Sequence, residues 1–264
     1  MAIANSLAFL LYLCCTALLI RRFVQRDQFV SSSLLSVGIL TILALIFHGT
    51  DIFMTMKNGW VLDLFSTLSI VTWLMALSAF IWGIKIPNTH PGIIVYPIVA
   101  LSLIFKSSLS HEVAKSLANP ALEWHILLSL AAYSLFALAA IQAIVLAVQE
   151  KQLKQRHLAG LLRKLPPLQS MEATLFQLVS SGFILLSLGL VAGAFFVDNI
   201  FTQHLAHKTI LSIIAWCVFA LLLWQRWRNG LRGKAAIKWT LIGVIFLLLA
   251  YFGSKIVLEY ILTK

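Results

Sequence analysis

Eight long, almost uncharged apolar runs dominate this chain of 264 residues: Ile3 to Ile20, Leu34 to Phe53, Val61 to Gly83, Ile93 to Phe105, Leu122 to Val148, Thr174 to Val197, Thr209 to Leu223 and Trp239 to Leu258. A helix needs roughly 20 residues to cross a hydrocarbon core about 30 Å thick, so crossings consume most of the sequence. Inside that core no water pairs with stray backbone groups, and each run must close its own hydrogen bonds as a helix. Apolar residues make up 61% of the chain and charged residues only 11%. That leaves too few charges to clothe a soluble globule and too little chain for a large extramembrane domain. A β-barrel would need strands of about ten residues alternating between lipid and lumen, whereas these runs are nearly continuous Leu, Ile, Ala and Phe. The sequence predicts an all-α fold: a polytopic membrane helical bundle with eight transmembrane helices, one integral-membrane domain over residues 1–264. Pro97 lies inside the fourth run, which is expected to kink or to extend beyond its limits.

The formal charge of +11 would suit a nucleic-acid partner if it sat on one soluble face, but the basic residues lie in short loops between apolar runs. Loops after the odd-numbered runs hold fourteen Lys and Arg, among them Arg21, Arg22, Arg26, Lys151, Lys154, Arg226 and Arg228; the opposite side holds six, Lys57, Lys106, Lys115, Lys208, Lys255 and Lys264. By the positive-inside rule both termini are expected to be extracytoplasmic. The fourteen inner charges then fix orientation and meet anionic headgroups of the lipid bilayer, with no nucleic acid involved. The first run has no basic residue ahead of it, no small-residue cleavage site, and Arg21, Arg22 and Arg26 behind it, so it reads as a retained span. Pro166 and Pro167 end the longest inner loop, and the outer stretch from Lys106 to Pro120 is expected to lie as a short surface helix. Gly189 and Gly193 make a Gly-x-x-x-Gly step, which permits close helix approach.

Catalytic machinery is hard to assemble from these residues, and the chain reads more as a non-enzyme than as an enzyme. Cys14, Cys15 and Cys217 all fall in apolar spans with no Cys-x-x-Cys pair, and there is neither a phosphate loop nor a nucleophile elbow. Asp51, Asp63, Glu123 and Asp198 all fall near outer span ends. The central slab is thus almost uncharged, which disfavours a proton-coupled carrier.

Histidine carries the remaining information. At 1.5 Å per residue, His48 sits about 9 Å below the outer boundary and His125 about 5 Å below the start of its span, so their depths roughly match. Two neutral imidazoles from different helices are suitable axial ligands for heme b, if a slot between the helices admits the flat ring. Ser129 and Ala132 keep the face beyond His125 small, and Asp51, three residues after His48, is placed to orient that ring as an acceptor. Each histidine also has a plainer reading, as a helix-end group bonded to a neighbour or to water. His204 and His207, with Asp198 and His111, offer metal-ligand chemistry, although loop histidines this sparse are more often only solvated.

At this point the sequence resembles the cytochrome c assembly protein family, in its CcsA/HemX-like group and the short YpjD-like branch. The resemblance rests on Phe47-His48-Gly49, on Trp124-His125-Ile126-Leu127-Leu128-Ser129 with Tyr133, on Leu165-Pro166-Pro167-Leu168 and the Gly182 to Gly193 stretch, on Leu211 to Trp216 leading to Gly230-Leu231-Arg232-Gly233, and on Tyr251-Phe252-Gly253-Ser254. It implies a multi-pass protein of the bacterial inner (plasma) membrane that binds or handles heme near the outer face, as an accessory in c-type cytochrome biogenesis. It implies His48 and His125 as heme ligands and cytochrome c maturation components as partners. The chain departs from the pattern in two places: Asp198 to Lys208 has no Trp, and Trp224 to Arg228 lacks a histidine. Those departures argue against a second heme site. Two other functions stay open on the residues alone, a metal-ion transporter or channel and a membrane scaffold that has lost heme binding.

Overall fold

Apolar runs uninterrupted by turn chemistry become helices throughout the computed structural model of the chain, which describes residues 2–24, 32–57, 59–85, 91–109, 114–115, 120–155, 165–196 and 206–253. The helices are α1 (Ala2–Val24), α2 (Ser32–Met56), α3 (Leu64–Lys85), α4 (Gly92–Leu109), α5 (Pro120–Lys154), α6 (Leu168–Phe196), α7 (Ala206–Asn229) and α8 (Lys234–Leu248), the last continuing as a π-helical turn over Leu249–Gly253. Eight helices among the described residues are long and apolar enough to cross a membrane, and the chain is a polytopic helical membrane bundle. The fourth helix runs on through Pro97 and reaches Leu109. Of the stretch expected as a surface helix, 110–113 and 116–119 lie outside the described residues. Lys106 belongs to α4, and Ala114–Lys115 (β2) pairs antiparallel with Trp60–Val61 (β1), Trp60 opposite Lys115.

Two compact units divide the chain. The first comprises Met1–Leu117 with Leu158–Pro166, the second Ala118–His157 with Pro167–Lys264. In the first, α1 packs against α2 and α4, and α3 against the same two helices, so the four form a closed ring. Tyr12, Val95 and Val99 are wholly buried in its core. Asn5 of α1 ties into this packing by donating its Nδ2 to the Leu103 carbonyl at 3.2 Å.

The second unit repeats the arrangement, with α5 and α7 each packed on α6 and α8. Its centre is a stacked pair, Phe136 and Phe219, with ring centroids 4.0 Å apart. Glycines hold both sides open. A Cβ at Gly182 would lie 3.1 Å from the Phe136 ring, and one at Gly243 only 2.6 Å from that of Phe219. Overpacking a full core typically costs about 1–3 kcal/mol, so Gly243→Ala is expected to destabilise the second unit by that amount, measured by thermal unfolding in detergent. Unchanged stability would show that the phenyl pair slides freely.

At the end of α7 the chain turns through Gly230 and Gly233, whose φ angles of 62° and 59° lie in the left-handed region. Arg226 locks this turn. Its Nη1 donates to the Leu231 carbonyl at 2.9 Å and to Glu172 of α6 at 3.3 Å, with the guanidinium 4.5 Å from the Phe176 ring centre.

Hydroxyl side chains inside the helices turn back on their own backbones. Thr16, Thr41, Thr55, Thr174, Ser187 and Thr240 each donate to the carbonyl four residues earlier, at 2.8–3.0 Å. Thr50, Ser102 and Ser134 do so three residues back. This is the usual way for a short hydroxyl to hide its polarity in an apolar helix.

Candidate functional site

In the first unit, α2 carries a polar stripe into the core. His48, Asp51 and Thr55 recur at helical spacing on one face and are all buried. His48 is wholly enclosed. Its Nε2 pairs with Ser69 Oγ of α3 at 2.9 Å, its Nδ1 is buried without a partner, and the Tyr12 ring meets it edge-on at 5.9 Å between centroids. A buried N–H with no acceptor is the rarer and costlier orphan. The favoured tautomer therefore has Nε2–H donating to Ser69 and leaves a bare lone pair on Nδ1.

Asp51 does not orient this ring, contrary to the expectation from sequence. It accepts from Lys106 Nζ of α4 at 2.7 Å, and the same ammonium reaches Thr55 Oγ1 at 3.1 Å. The side chains of Lys106 and Asp51 are only 6% and 4% exposed. Desolvating a charge outweighs every other local interaction, so the carboxylate goes to the nearest cation rather than to a neutral imidazole. Next to them the Thr72 and Ser102 hydroxyls join α3 to α4 at 2.7 Å.

His125 is the better-disposed histidine. It sits in the second turn of α5, half-buried, and its Nδ1 lies 2.7 Å from the Gly189 carbonyl of α6. A carbonyl only accepts, so Nδ1 carries the proton and Nε2 keeps its lone pair. A ring held through Nδ1–H by a backbone carbonyl, with Nε2 bare, is the usual disposition of a metal-ligating histidine. Glycine makes the seat: a Cβ on Gly193 would lie 2.9 Å from His125 Cε1 and 3.0 Å from Nδ1. The Gly-x-x-x-Gly step thus does more than bring two helices together. It supplies both the carbonyl that fixes the tautomer and the bare backbone on which the ring rests.

The small face beyond His125 is not an open slot. Ala132 is 1% exposed, and Ser129 Oγ would lie 3.3 Å from a Cβ on Gly189. His48 belongs to the first unit and His125 to the second. Of the residues considered for a metal, Asp198, His111 and His204 lie outside the described residues, and only the backbone of His207, in the first turn of α7, is described. Among the described residues no three His, Cys, Asp or Glu side chains gather as metal ligands.

Sequence reasoning missed Ser69 and Lys106. The signal available for Lys106 was the α2 stripe itself, which places a carboxylate in an apolar wall and so calls for a cation. For Ser69 it was the run of buried hydroxyls Ser66, Thr67, Ser69 and Thr72 in α3.

The family profile described as "Cytochrome C assembly protein" matches residues 3–262. The chain belongs to the cytochrome c assembly protein family. Among relatives of this family member, the inner membrane protein YpjD of Escherichia coli is 37% identical over 169 residues, 64% of each chain. The match therefore spans a little under two thirds of that relative. The protein HemX of Brevibacillus brevis is 27% identical over 199 residues, 73% of each chain. The cytochrome c biogenesis protein CcsA of Cuscuta exaltata is 27% identical over 92 residues, 34% of this chain and 30% of CcsA. No solved structure matches significantly.

Proposed function

We propose that this family member is a multi-pass inner-membrane protein that binds or hands on heme b as a non-enzymatic accessory in c-type cytochrome biogenesis. The observation that carries the reading is the half-buried His125 imidazole, held over glycine by the Gly189 carbonyl with Nε2 bare. The name of its relative YpjD supports the location, and the family description and the name of CcsA support the pathway. His125 is the ligand the geometry favours. His48 is the second candidate: it offers a bare nitrogen but has no exposed surface, so ligation there requires rearrangement around Tyr12. Bound heme would supply iron for ligation or electron transfer. The chain itself sets the tautomer, the ring orientation and the apolar surroundings.

Protein extracted gently from a heme-replete host is expected to show a Soret band with about one heme per chain. His125→Ala should cut occupancy at least about tenfold, the scale of losing a metal-site determinant, and His48→Ala should alter the spectrum without abolishing it. Wild-type protein that never carries stoichiometric heme would overturn the reading.

A further inference from the structure

Both α7 and α8 are long and apolar enough to cross a membrane, and only residues 230–233 separate them. A turn that short between two crossings lies where hydrocarbon gives way to headgroups. Indoles stand at the same level. Trp227, in the last turn of α7, is 85% exposed, and Trp224, three residues earlier on the same face, is 50% exposed. An open indole at the end of a crossing helix is most stable at the interface, where its ring meets acyl chains and its N–H meets water.

Four cations share this end of the second unit. Arg228, Arg232, Lys234 and Lys238 are all exposed, and among the described residues none of them pairs with a carboxylate. The two acids described at this end are already engaged, Glu150 by Lys154 and Glu172 by Arg226. Arg228 instead lies over the Trp224 ring, its guanidinium carbon 5.9 Å from the ring centre. Lys234 and Lys238 stand one turn apart on α8. The backbone carrying these groups is fixed by the left-handed Gly230 and Gly233 and by the bond from Arg226 to the Leu231 carbonyl.

Cations on a rigid turn, without counter-ions and level with two open indoles, call for an anion held at headgroup depth. A phospholipid satisfies both halves, with its phosphate on the cations and its upper acyl chain against the indoles. A water-soluble polyanion would leave the indoles uncovered. We propose that the α7–α8 turn is a selective site for an anionic phospholipid, with the phosphate held by Arg228 and Arg232, Lys234 and Lys238 beside it, and the acyl chain on Trp224 and Trp227. The selectivity then belongs to one turn and not to the net charge of the chain, and it does not depend on the heme reading.

The test places the full-length protein in nanodiscs of phosphatidylcholine with a minor fraction of phosphatidylglycerol and reads the retained lipid by native mass spectrometry. Wild type is expected to prefer phosphatidylglycerol by at least about tenfold. Each cation at a headgroup surface contributes about fivefold, so Arg228→Gln should cut the preference by about that factor. Arg228→Gln with Arg232→Gln should abolish it, while Arg228→Lys should keep most of it. Trp227→Ala should lower retention of both lipids, as a free anion would not require. Arg21→Gln with Lys57→Gln removes the same charge from the first unit and should leave the preference unchanged. All these side chains are exposed, so each variant is expected to fold, which thermal unfolding checks. Equal retention of the two lipids by wild type, or an equal loss of preference in the first-unit pair and the turn pair, would overturn the assignment.

Discussion

Lys106→Met is expected to destabilise the first unit by about 3–5 kcal/mol, the cost of leaving a buried charge without its partner. The ammonium it removes is bonded to Asp51 and Thr55 and is shielded almost completely. Deleting it strands a carboxylate buried between α2 and α4, where no water relieves it. Asp51→Leu should be as damaging, because it strands the cation instead. The two together, Asp51→Leu with Lys106→Met, should return to within about 1 kcal/mol of wild type, since replacing a buried pair by packed apolar groups is often neutral. Reversible unfolding in mixed micelles supplies the measurement through a double-mutant cycle. Additive effects of the two single variants would mean that the charges do not depend on each other.

Gly193→Ala should lower heme occupancy about 10- to 100-fold, the range expected when the group that seats a ligating histidine is lost. The added methyl would lie 2.9 Å from His125 Cε1, so the ring must tilt, and the tilt lengthens its hydrogen bond to Gly189. Gly189→Ala is the informative control. Its Cβ meets Ser129 Oγ at 3.3 Å and not the imidazole, and its carbonyl remains in place, so heme should be retained, the more so with Ser129→Ala. If the glycines serve helix contact alone, the two substitutions should do comparable harm. Occupancy from the Soret absorbance, alongside thermal stability, separates these outcomes.

The eight crossings were legible because a backbone in lipid has one economical solution, and long apolar runs announce it. Helix ends were less so. α4 passes Lys106 because the residue finds a carboxylate 55 positions earlier in the chain, and that partnership exists only once α2 and α4 are packed. The same tertiary event removed Asp51 from the role expected for it beside His48. Part of the His125 seat could have been read in advance. Gly182, Gly189 and Gly193 on α6 face Phe136, Ser129 and His125 on α5, and the intervals of seven and four run in mirrored order. In antiparallel neighbours such mirrored spacing is a register, and it pairs each glycine with the side chain it accommodates. What spacing does not contain is which nitrogen of the ring bears the proton. That follows only from the Gly189 oxygen at 2.7 Å.

The threonines and serines that bond to their own carbonyls bear on how the chain is made. A hydroxyl already satisfied within its helix presents the lipid with a surface little different from alanine or valine, so hydropathy scales that charge each such residue its full transfer penalty overstate the barrier to inserting α1, α2, α6 or α8. These segments can enter the bilayer singly as they emerge from the ribosome. The α2 carboxylate and the α4 ammonium must wait for a companion, which makes their meeting a natural late step in biosynthesis.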